Sequence, residues 1–110
     1  MKISEFQQWT HEFYQQRNWY ELDIFKRLAF LTEEIGEVAR AVRTIEIGRD
    51  RPDETELNEK QKLNDLKEEL GDVFANLTII IDKYDLNIED ILNEHRTKLD
   101  ARFIGNEIRK

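Results

Sequence analysis

Two short acidic segments of this 110-residue chain repeat the same order of residue types. The segment 33–38 reads EEIGEV, and the segment 68–73 reads EELGDV. Each segment places two carboxylates three residues apart, and residues at this spacing are neighbours on the surface of a helix. Carboxylate oxygens are ligands of Mg²⁺, which commonly shares its remaining coordination positions with the phosphates of a substrate. The repeat therefore indicates a metal site for phosphate chemistry, and the alternative is a solvated acidic face.

The position of the acids relative to the apolar residues favours the metal site. At about 100° per residue, Glu37 lies roughly 60° from Glu34 on one side, whereas the apolar residues within 31–45 lie roughly 20–120° away on the other. Glu69 and Asp72 have the same relation to the apolar residues of their own segment. If the two helices pack through these apolar stripes, the four carboxylates converge on one partly buried pocket.

A glycine precedes the last acid of each segment. Glycine in a helix interior costs about 1 kcal/mol relative to alanine, so its presence in both segments needs a reason. We expect Gly36 and Gly71 to lie where two helices approach each other closely.

Apolar residues recur every three or four positions through most of the chain, which is typical of amphipathic helices. The pattern predicts four helices, at about residues 4–17, 22–47, 59–84 and 88–103. Gly48 is the expected stop of the second helix, and Asn87 is the expected N-cap of the fourth. Ser4 and Gln7 fit a capping box at the start of the first. Four helices with short connections predict an all-α, four-helix bundle-like protomer.

The composition agrees with a single all-α domain over residues 1–110. Hydrophobic residues make up 39% and charged residues 37% of the chain, and the 4 glycines and 1 proline leave few turn formers. The tail at 104–110 has no clear pattern, which leaves its structure open and makes it a candidate for disorder. Long apolar stripes are hard to cover within so small a protomer, so we expect a homodimer or a homotetramer.

Composition and charge also exclude several classes of function. The absence of cysteine excludes disulfides, thiol catalysis and zinc held by cysteines. The net charge of −7 argues against a partner that is a nucleic acid polymer. No apolar run approaches the roughly 20 residues that a membrane span needs, and the start of the chain lacks the pattern of a signal peptide. We therefore expect a cytoplasmic protein without a membrane partner.

The acidic repeat resembles the paired motif of a known family. The motif E-E-x-x-E followed by E-x-x-D on two helices is that of the MazG-like, all-α nucleoside triphosphate pyrophosphohydrolases. The segment 11–21, HEFYQQRNWYE, is similar to the region before the first motif in the dCTP pyrophosphatase branch. The segment 99–103, LDARF, is similar to the end of the family's last helix. The resemblance covers about residues 5–103, and the paired motif is its most specific part.

The resemblance implies a metal-dependent reaction on a nucleotide. The acids that bind Mg²⁺ in the family correspond to Glu34, Glu37, Glu69 and Asp72, and Mn²⁺ is expected to substitute. Water would attack the α-phosphorus of a nucleoside triphosphate and give the monophosphate and pyrophosphate. Glu33 is the candidate catalytic residue, since its carboxylate could orient or deprotonate this water. The alternatives are that it supports the metal ligands without touching the ion, or that it is solvated.

Five further residues are candidates for binding the nucleotide. Trp19 and Phe13 can stack on the base, by the resemblance and because a planar ring offers a π-face; core packing is the alternative for both. Asn76 can hydrogen-bond the sugar or the base. Lys83 is either a phosphate contact or an exposed lysine. Arg27 is either a phosphate contact or, as we favour, a charge partner within its own helix.

Other positions limit how far the resemblance extends. The last helix carries His95 and Leu99 where the family often has a lysine and an asparagine for the nucleotide, so the base preference does not transfer. We expect His95 to be a hydrogen-bonded core residue. Arg49 and Arg51 lie in a charged connection and either close over phosphates or remain solvated, as we favour.

Two other functions are consistent with the sequence. The first is a phosphoribosyl-ATP pyrophosphohydrolase, a related helical fold that shares the chemistry but differs in substrate. The second is a non-enzymatic helical oligomerisation protein whose acids are surface charge. The segment before the first motif favours the dCTP pyrophosphatase-like branch over the first, and the doubled motif argues against the second.

Overall fold

The computed structural model describes residues 1–48 and 51–108, with side chains up to residue 104. This part of the chain forms four α-helices and no strand, which confirms the all-α prediction. The helices are α1 (Ile3–Gln16), α2 (Ile24–Ile47), α3 (Glu59–Lys83) and α4 (Ile88–Ile108). Helix α4 therefore continues beyond Phe103 into the segment that the sequence left open.

Local sequence determines where most of these helices begin and end. The Asp23 side chain caps α2 by accepting a hydrogen bond from the backbone N–H of Lys26 at 3.0 Å. Gly48 ends α2 with a φ of 89°, a conformation that favours glycine, as predicted. Asn87 caps α4, as predicted, by accepting from the N–H of Asp90 at 3.3 Å.

The predicted capping box of Ser4 and Gln7 is wrong. Helix α1 begins at Ile3 after Lys2, whose side chain makes no capping hydrogen bond. Gln7 instead joins α1 to the start of α4. Its amide donates to the carbonyl of Leu86 at 2.9 Å and accepts from the N–H of Ile88 at 3.0 Å. A long-range contact therefore uses the side chain that the local pattern assigned to a cap.

Helices α2 and α3 pack along each other and form the main interface, while α1 lies against α3 and α4. The protomer is open in shape. Its radius of gyration is 18.2 Å, whereas a compact domain of this length has about 13 Å. The acidic segments lie on the two helices that pack most extensively, so this interface positions the candidate site.

The predicted apolar stripes are only partly covered. Ile35 of α2 is 53% exposed and Leu63 of α3 is 52% exposed. Within the described residues, the buried apolar side chains are Ala41, Ile79 and Ile88. His95 is exposed, so the expectation of a core histidine is wrong. The expectation of close helix approach at the two glycines is also wrong, because a Cβ at either would meet nothing within 4 Å.

Candidate metal centre

Three acidic side chains meet where α2 packs on α3. Glu34 comes from α2, and Glu69 and Asp72 come from successive turns of α3. One carboxylate oxygen from each lies within 4.8 Å of those of the other two. This is the one group of metal-ligating side chains of its kind in the described part of the chain. The structure thus brings together three of the four acids expected to bind metal, and their ligand role stays a prediction.

Glu37, the fourth expected ligand, is turned toward a cation of its own helix. Its carboxylate accepts from the Nε of Arg40 at 2.8 Å, and its side chain is half exposed. Glu37 nevertheless lies close enough for its charge to raise the pKa values of Glu34 and Glu69. Its role as a fourth ligand therefore stays a prediction.

The electrostatics of the cluster favour a cation. Burial raises the pKa of Glu34, and the charges of Asp72, Glu69 and Glu37 raise it further. Burial also raises the pKa of Glu69, with contributions from Asp72 and Glu37, while Arg40 opposes the increase. Like charges that converge in a partly buried site disfavour ionisation unless a positive charge offsets them.

The donor set fits a hard divalent cation. All three groups offer carboxylate oxygen, which is the ligand type that Mg²⁺ and Mn²⁺ prefer. Neither thiolate nor imidazole belongs to the cluster, so its chemistry does not match a zinc site of the common kinds. The residues present are therefore suited to Mg²⁺.

Glu33 lies beside the cluster without joining it. Its side chain is exposed, and its charge is the last and smallest contribution to the raised pKa of Glu34. This position is compatible with contact to water at the edge of the site. Its catalytic role stays a prediction.

A cleft of about 350 Å³ adjoins the cluster and shares Glu34 with it. Aromatic rings form much of its wall, and Arg27 and Asn76 supply polar groups. Its lining residues are Tyr14, Trp19, Leu22, Arg27, Phe30, Glu34 and Asn76. Three of the five predicted nucleotide-binding residues, Trp19, Arg27 and Asn76, therefore lie next to the acidic cluster.

Arg27 is a buried bridge between elements. Its Nη1 donates to the Oδ1 of Asn76 at 2.9 Å, and its Nη2 donates to the carbonyl of Trp19 at 2.6 Å. Burial lowers the pKa of its guanidinium. The favoured interpretation of Arg27 as a charge partner within its own helix is wrong, because these partners lie on α3 and on the connection before α2. Asn76 in turn donates to the carbonyl of Asp72 at 3.0 Å, which links the cleft to the cluster.

The two candidate stacking residues have different surroundings. Trp19 is 48% exposed and meets the Tyr14 ring edge-on at a centroid distance of 5.5 Å. Phe13 does not line the cleft. Its ring packs on Trp9 at 4.8 Å, and the guanidinium of Arg17 lies 3.4 Å from its centroid. The geometry supports base stacking by Trp19 and a packing role for Phe13.

Lys83 is not brought to the cluster. It follows Asp72 by 11 residues on the same helix, which separates them by roughly 16 Å along the axis. Its ammonium lies 4.8 Å from the centre of the Tyr20 ring. In the charged connection, Arg51 pairs with Asp53 at 3.4 Å, while Arg49 lies outside the described residues.

Sequence reasoning missed several residues of this region. Arg40 contacts the cluster from α2, and Tyr14 and Phe30 line the cleft. The spacing of Arg40 three residues after Glu37 was the one available signal, since oppositely charged residues at this spacing pair on a helix. Tyr14 showed only as part of the apolar pattern of the first helix.

Comparisons with known proteins identify the family and the fold of the chain. The family model of the MazG nucleotide pyrophosphohydrolase domain matches residues 26–103. The uncharacterized protein YvdC of Bacillus subtilis (strain 168) is 47% identical over 103 residues, which cover 94% of this chain and 97% of YvdC. The crystal structure of YPJD from Bacillus subtilis, a protein provisionally described as a pyrophosphatase, has a TM-score of 0.71 at 22% identity. That match covers 93% of this chain and 96% of YPJD, and it shows the shared fold.

Proposed function

The chain belongs to the MazG nucleotide pyrophosphohydrolase family, and from this premise we propose that it hydrolyses a nucleoside triphosphate at the α-phosphorus to a monophosphate and pyrophosphate. Membership of the family makes it a nucleotide pyrophosphohydrolase. The metal, the bond that is cleaved and the substrate class are the proposal. The observation that carries it is the meeting of Glu34, Glu69 and Asp72 beside an aromatic cleft that Glu34 also lines.

Mg²⁺ is the proposed cofactor, with Mn²⁺ able to replace it. Glu34, Glu69 and Asp72 would hold the ion, and Glu37 would join them by turning away from Arg40. A bound divalent cation neutralises charge on the triphosphate and lowers the pKa of water. The carboxylates contribute by fixing that charge at the α2–α3 interface, next to the cleft.

We propose that the cleft and the cluster together orient the nucleotide. The base would enter the cleft and stack on Trp19, so that the phosphates reach the acids through the shared residue Glu34. Arg27 and Asn76 hold the polar side of the cleft in place through their mutual hydrogen bond. Phe13 packs edge-on against Trp19 at a ring distance of 6.1 Å. Lys83 has no part in this arrangement because of its distance from the cluster.

Glu33 is the proposed group that receives the proton of the attacking water. Its side chain is exposed beside Glu34, so it can reach water without being used as a ligand. A carboxylate in hydrogen-bond reach of the water can orient it or act as a general base.

The exposed apolar surface supports assembly into a dimer or tetramer. An open groove of about 550 Å³ runs between α1, α3 and α4 and is lined by apolar side chains such as Phe6, Phe74 and Leu77. Of these side chains, Phe74 is 58% exposed and Leu77 is 41% exposed, and clustered exposed apolar side chains typically mark an interaction site. We expect light scattering to give a mass of two or four chains, and a monomer would contradict this. A nucleotide substrate also fits a cytoplasmic location.

A substrate panel tests the proposed activity. The purified protein is incubated with Mg²⁺ and each common ribo- and deoxyribonucleoside triphosphate, with phosphoribosyl-ATP as a further arm. Ion-exchange chromatography then measures monophosphate, pyrophosphate and orthophosphate. We expect equal amounts of monophosphate and pyrophosphate from at least one nucleoside triphosphate. If none of the nucleoside triphosphates gives either product, the proposal is overturned. If only phosphoribosyl-ATP is hydrolysed, the proposed substrate class is wrong.

A further inference from the structure

Arg40 contacts three different carboxylates across the α2–α3 interface. Its Nε donates to Glu37 at 2.8 Å, its Nη1 to Asp65 at 3.2 Å, and its Nη2 approaches Glu69 at 3.5 Å. Each nitrogen of the guanidinium therefore faces a separate acid. Two of these acids, Glu37 and Glu69, belong to the four expected metal ligands.

We propose that Arg40 is the internal counter-ion of the acidic cluster, a positioning residue that holds Glu37 and Glu69 in the metal-free protein and competes with the divalent cation for them. This inference rests on the proposed function, since it takes the cluster to be the metal centre. It explains why Glu37 stands apart from the other three acids. The carboxylate that is missing from the cluster is the one that Arg40 holds at the shortest distance.

The burial of these groups makes the competition effective. The side chains of Glu69 and Asp65 are 16% and 25% exposed, so solvent screens their charges only in part. Without Arg40, the acids of both helices would repel one another across the interface. A divalent cation supplies positive charge to the same oxygens. Arg40 should therefore stabilise the metal-free fold strongly and the metal-loaded fold weakly.

The charge of Arg40 should also weaken metal binding. A positive charge several ångströms from a divalent cation in a partly screened site disfavours binding, and its removal is worth about tenfold in the dissociation constant. Removal of Arg40 also frees Glu37 and Glu69 to move, which by itself weakens metal binding. This effect is small once both carboxylates bind the ion. The net expectation is tighter binding when the charge is removed.

The test compares Arg40→Gln and Arg40→Lys with the wild type and with the matched control Arg43→Gln. Arg43 lies on the same helix and is 29% exposed, but it approaches Glu54 at 3.5 Å and donates to the carbonyl of Gly48. None of these partners is an expected ligand. Calorimetry with MnCl₂ gives the affinity, and thermal unfolding in EDTA and in saturating MnCl₂ gives two Tm values for each protein.

We expect Arg40→Gln to bind Mn²⁺ about tenfold more tightly than the wild type. Its Tm in EDTA should be lower than that of the wild type, and most of this difference should disappear in MnCl₂. Arg40→Lys keeps the charge but cannot span three carboxylates, so its affinity should stay within about threefold of the wild type, with a smaller deficit in EDTA. Arg43→Gln should leave the affinity unchanged and shift Tm equally in both conditions.

A purely structural role would give a different pattern. The proposal is overturned, while the metal centre stands, if Arg40→Gln binds Mn²⁺ no more tightly than the wild type. It is also overturned if the decrease in Tm relative to the wild type is the same in EDTA and in MnCl₂. A Lys variant whose deficit MnCl₂ does not reduce overturns it even if the Gln variant fails to fold. If the wild type does not bind Mn²⁺, both the counter-ion role of Arg40 and the metal-binding role of the cluster are overturned.

Discussion

Asp82 and the acids in the middle of α3 differ in what surrounds their carboxylates. At the C-terminal end of the helix, Asp82 accepts hydrogen bonds from Tyr20 at 2.7 Å, His11 at 2.5 Å and Gln7 at 3.3 Å. Burial raises the pKa of Asp82, but these hydrogen bonds outweigh it and hold the pKa below its usual value of 3.8. The ionised carboxylate is satisfied within the protein, and it ties α1 and the α1–α2 connection to α3.

In the described part of the chain, Asp65 and Glu69 in the middle of the same helix are both contacted by one donor group, the guanidinium of Arg40. Burial raises the pKa of Glu69, and neighbouring carboxylates add to the increase, with Arg40 as the one opposing charge among the principal causes. The difference teaches how to distinguish the two kinds of site. A carboxylate with several hydrogen-bond donors completes the structure, whereas a group of carboxylates that face one another needs a further cation.

The largest expected effect is on turnover and comes from the cluster. Glu34→Gln or Asp72→Asn should lower kcat/KM by more than about a hundredfold, because changes around metal ligands already cost that much. The helical circular dichroism should be preserved. The matched control is Glu68→Gln, an exposed acid beside Glu69, which should retain turnover. Activity retained by both cluster variants would remove these residues from the mechanism.

The next effect separates the two groups by metal binding and stability. Glu69→Gln should lose Mn²⁺ binding in calorimetry, whereas Asp82→Asn should keep it. In urea unfolding, Asp82→Asn should lose about 1–3 kcal/mol, because hydrogen bonds to a charged group are weakened. Asp85→Asn is the control, since this exposed residue has a φ of 55° that asparagine tolerates. Loss of Mn²⁺ binding by the folded Asp82→Asn variant would contradict the distinction.

A smaller effect follows from the opposite pKa shifts in metal-free protein. Asp82 has a lowered pKa, so its contribution to stability is present above its usual value of 3.8 and is lost as the pH falls through its folded pKa. Glu34 has a raised pKa, so its unfavourable contribution is absent below its usual value of 4.5, grows as the pH rises from there to its folded pKa, and is constant above it. In EDTA, the deficit of Asp82→Asn should shrink on acidification below 3.8. The advantage of Glu34→Gln over the wild type should instead grow above 4.5. The same pH dependence in both variants would refute this assignment.

The smallest effect is expected for Lys83, which lies with Tyr20 at the Asp82 end of α3. Lys83→Gln should change KM by less than about twofold, within the range of a surface substitution. Trp19→Ala should raise KM by roughly tenfold or more, because stacking on a base is worth about 1–3 kcal/mol. Steady-state kinetics on the best substrate of the panel measures both. A KM increase for Lys83→Gln as large as that for Trp19→Ala would place Lys83 at the nucleotide.

Helical periodicity was sufficient to predict the four helices and the facing positions of the two acidic segments. Both depend on local rules, namely a repeat of 3.6 residues and side chains that project at fixed angles. The rules fail where a side chain has a distant partner. Asp82 meets His11 across 71 positions and Arg27 meets Asn76 across 49, and no spacing in the sequence signals either contact.

The errors have the same origin. The local pattern predicts a cap for Gln7 and a partner within its own helix for Arg27, but Gln7 binds the start of α4 and Arg27 binds α3. Glu37 is a different case and stays a predicted ligand, because helical angles fix its Cβ but not its rotamer, and in the structure its carboxylate accepts from Arg40. The periodic pattern predicts the apolar faces of the helices, but it does not determine whether the protomer or a second chain covers them.

Hydrolysis in ¹⁸O-labelled water tests the central claim most directly. The substrate identified by the panel is turned over once with Mg²⁺, and mass spectrometry locates the label in the two products. If water attacks the α-phosphorus at the proposed metal centre between α2 and α3, the nucleoside monophosphate carries one ¹⁸O and pyrophosphate carries none. Label in pyrophosphate or in orthophosphate would contradict the account.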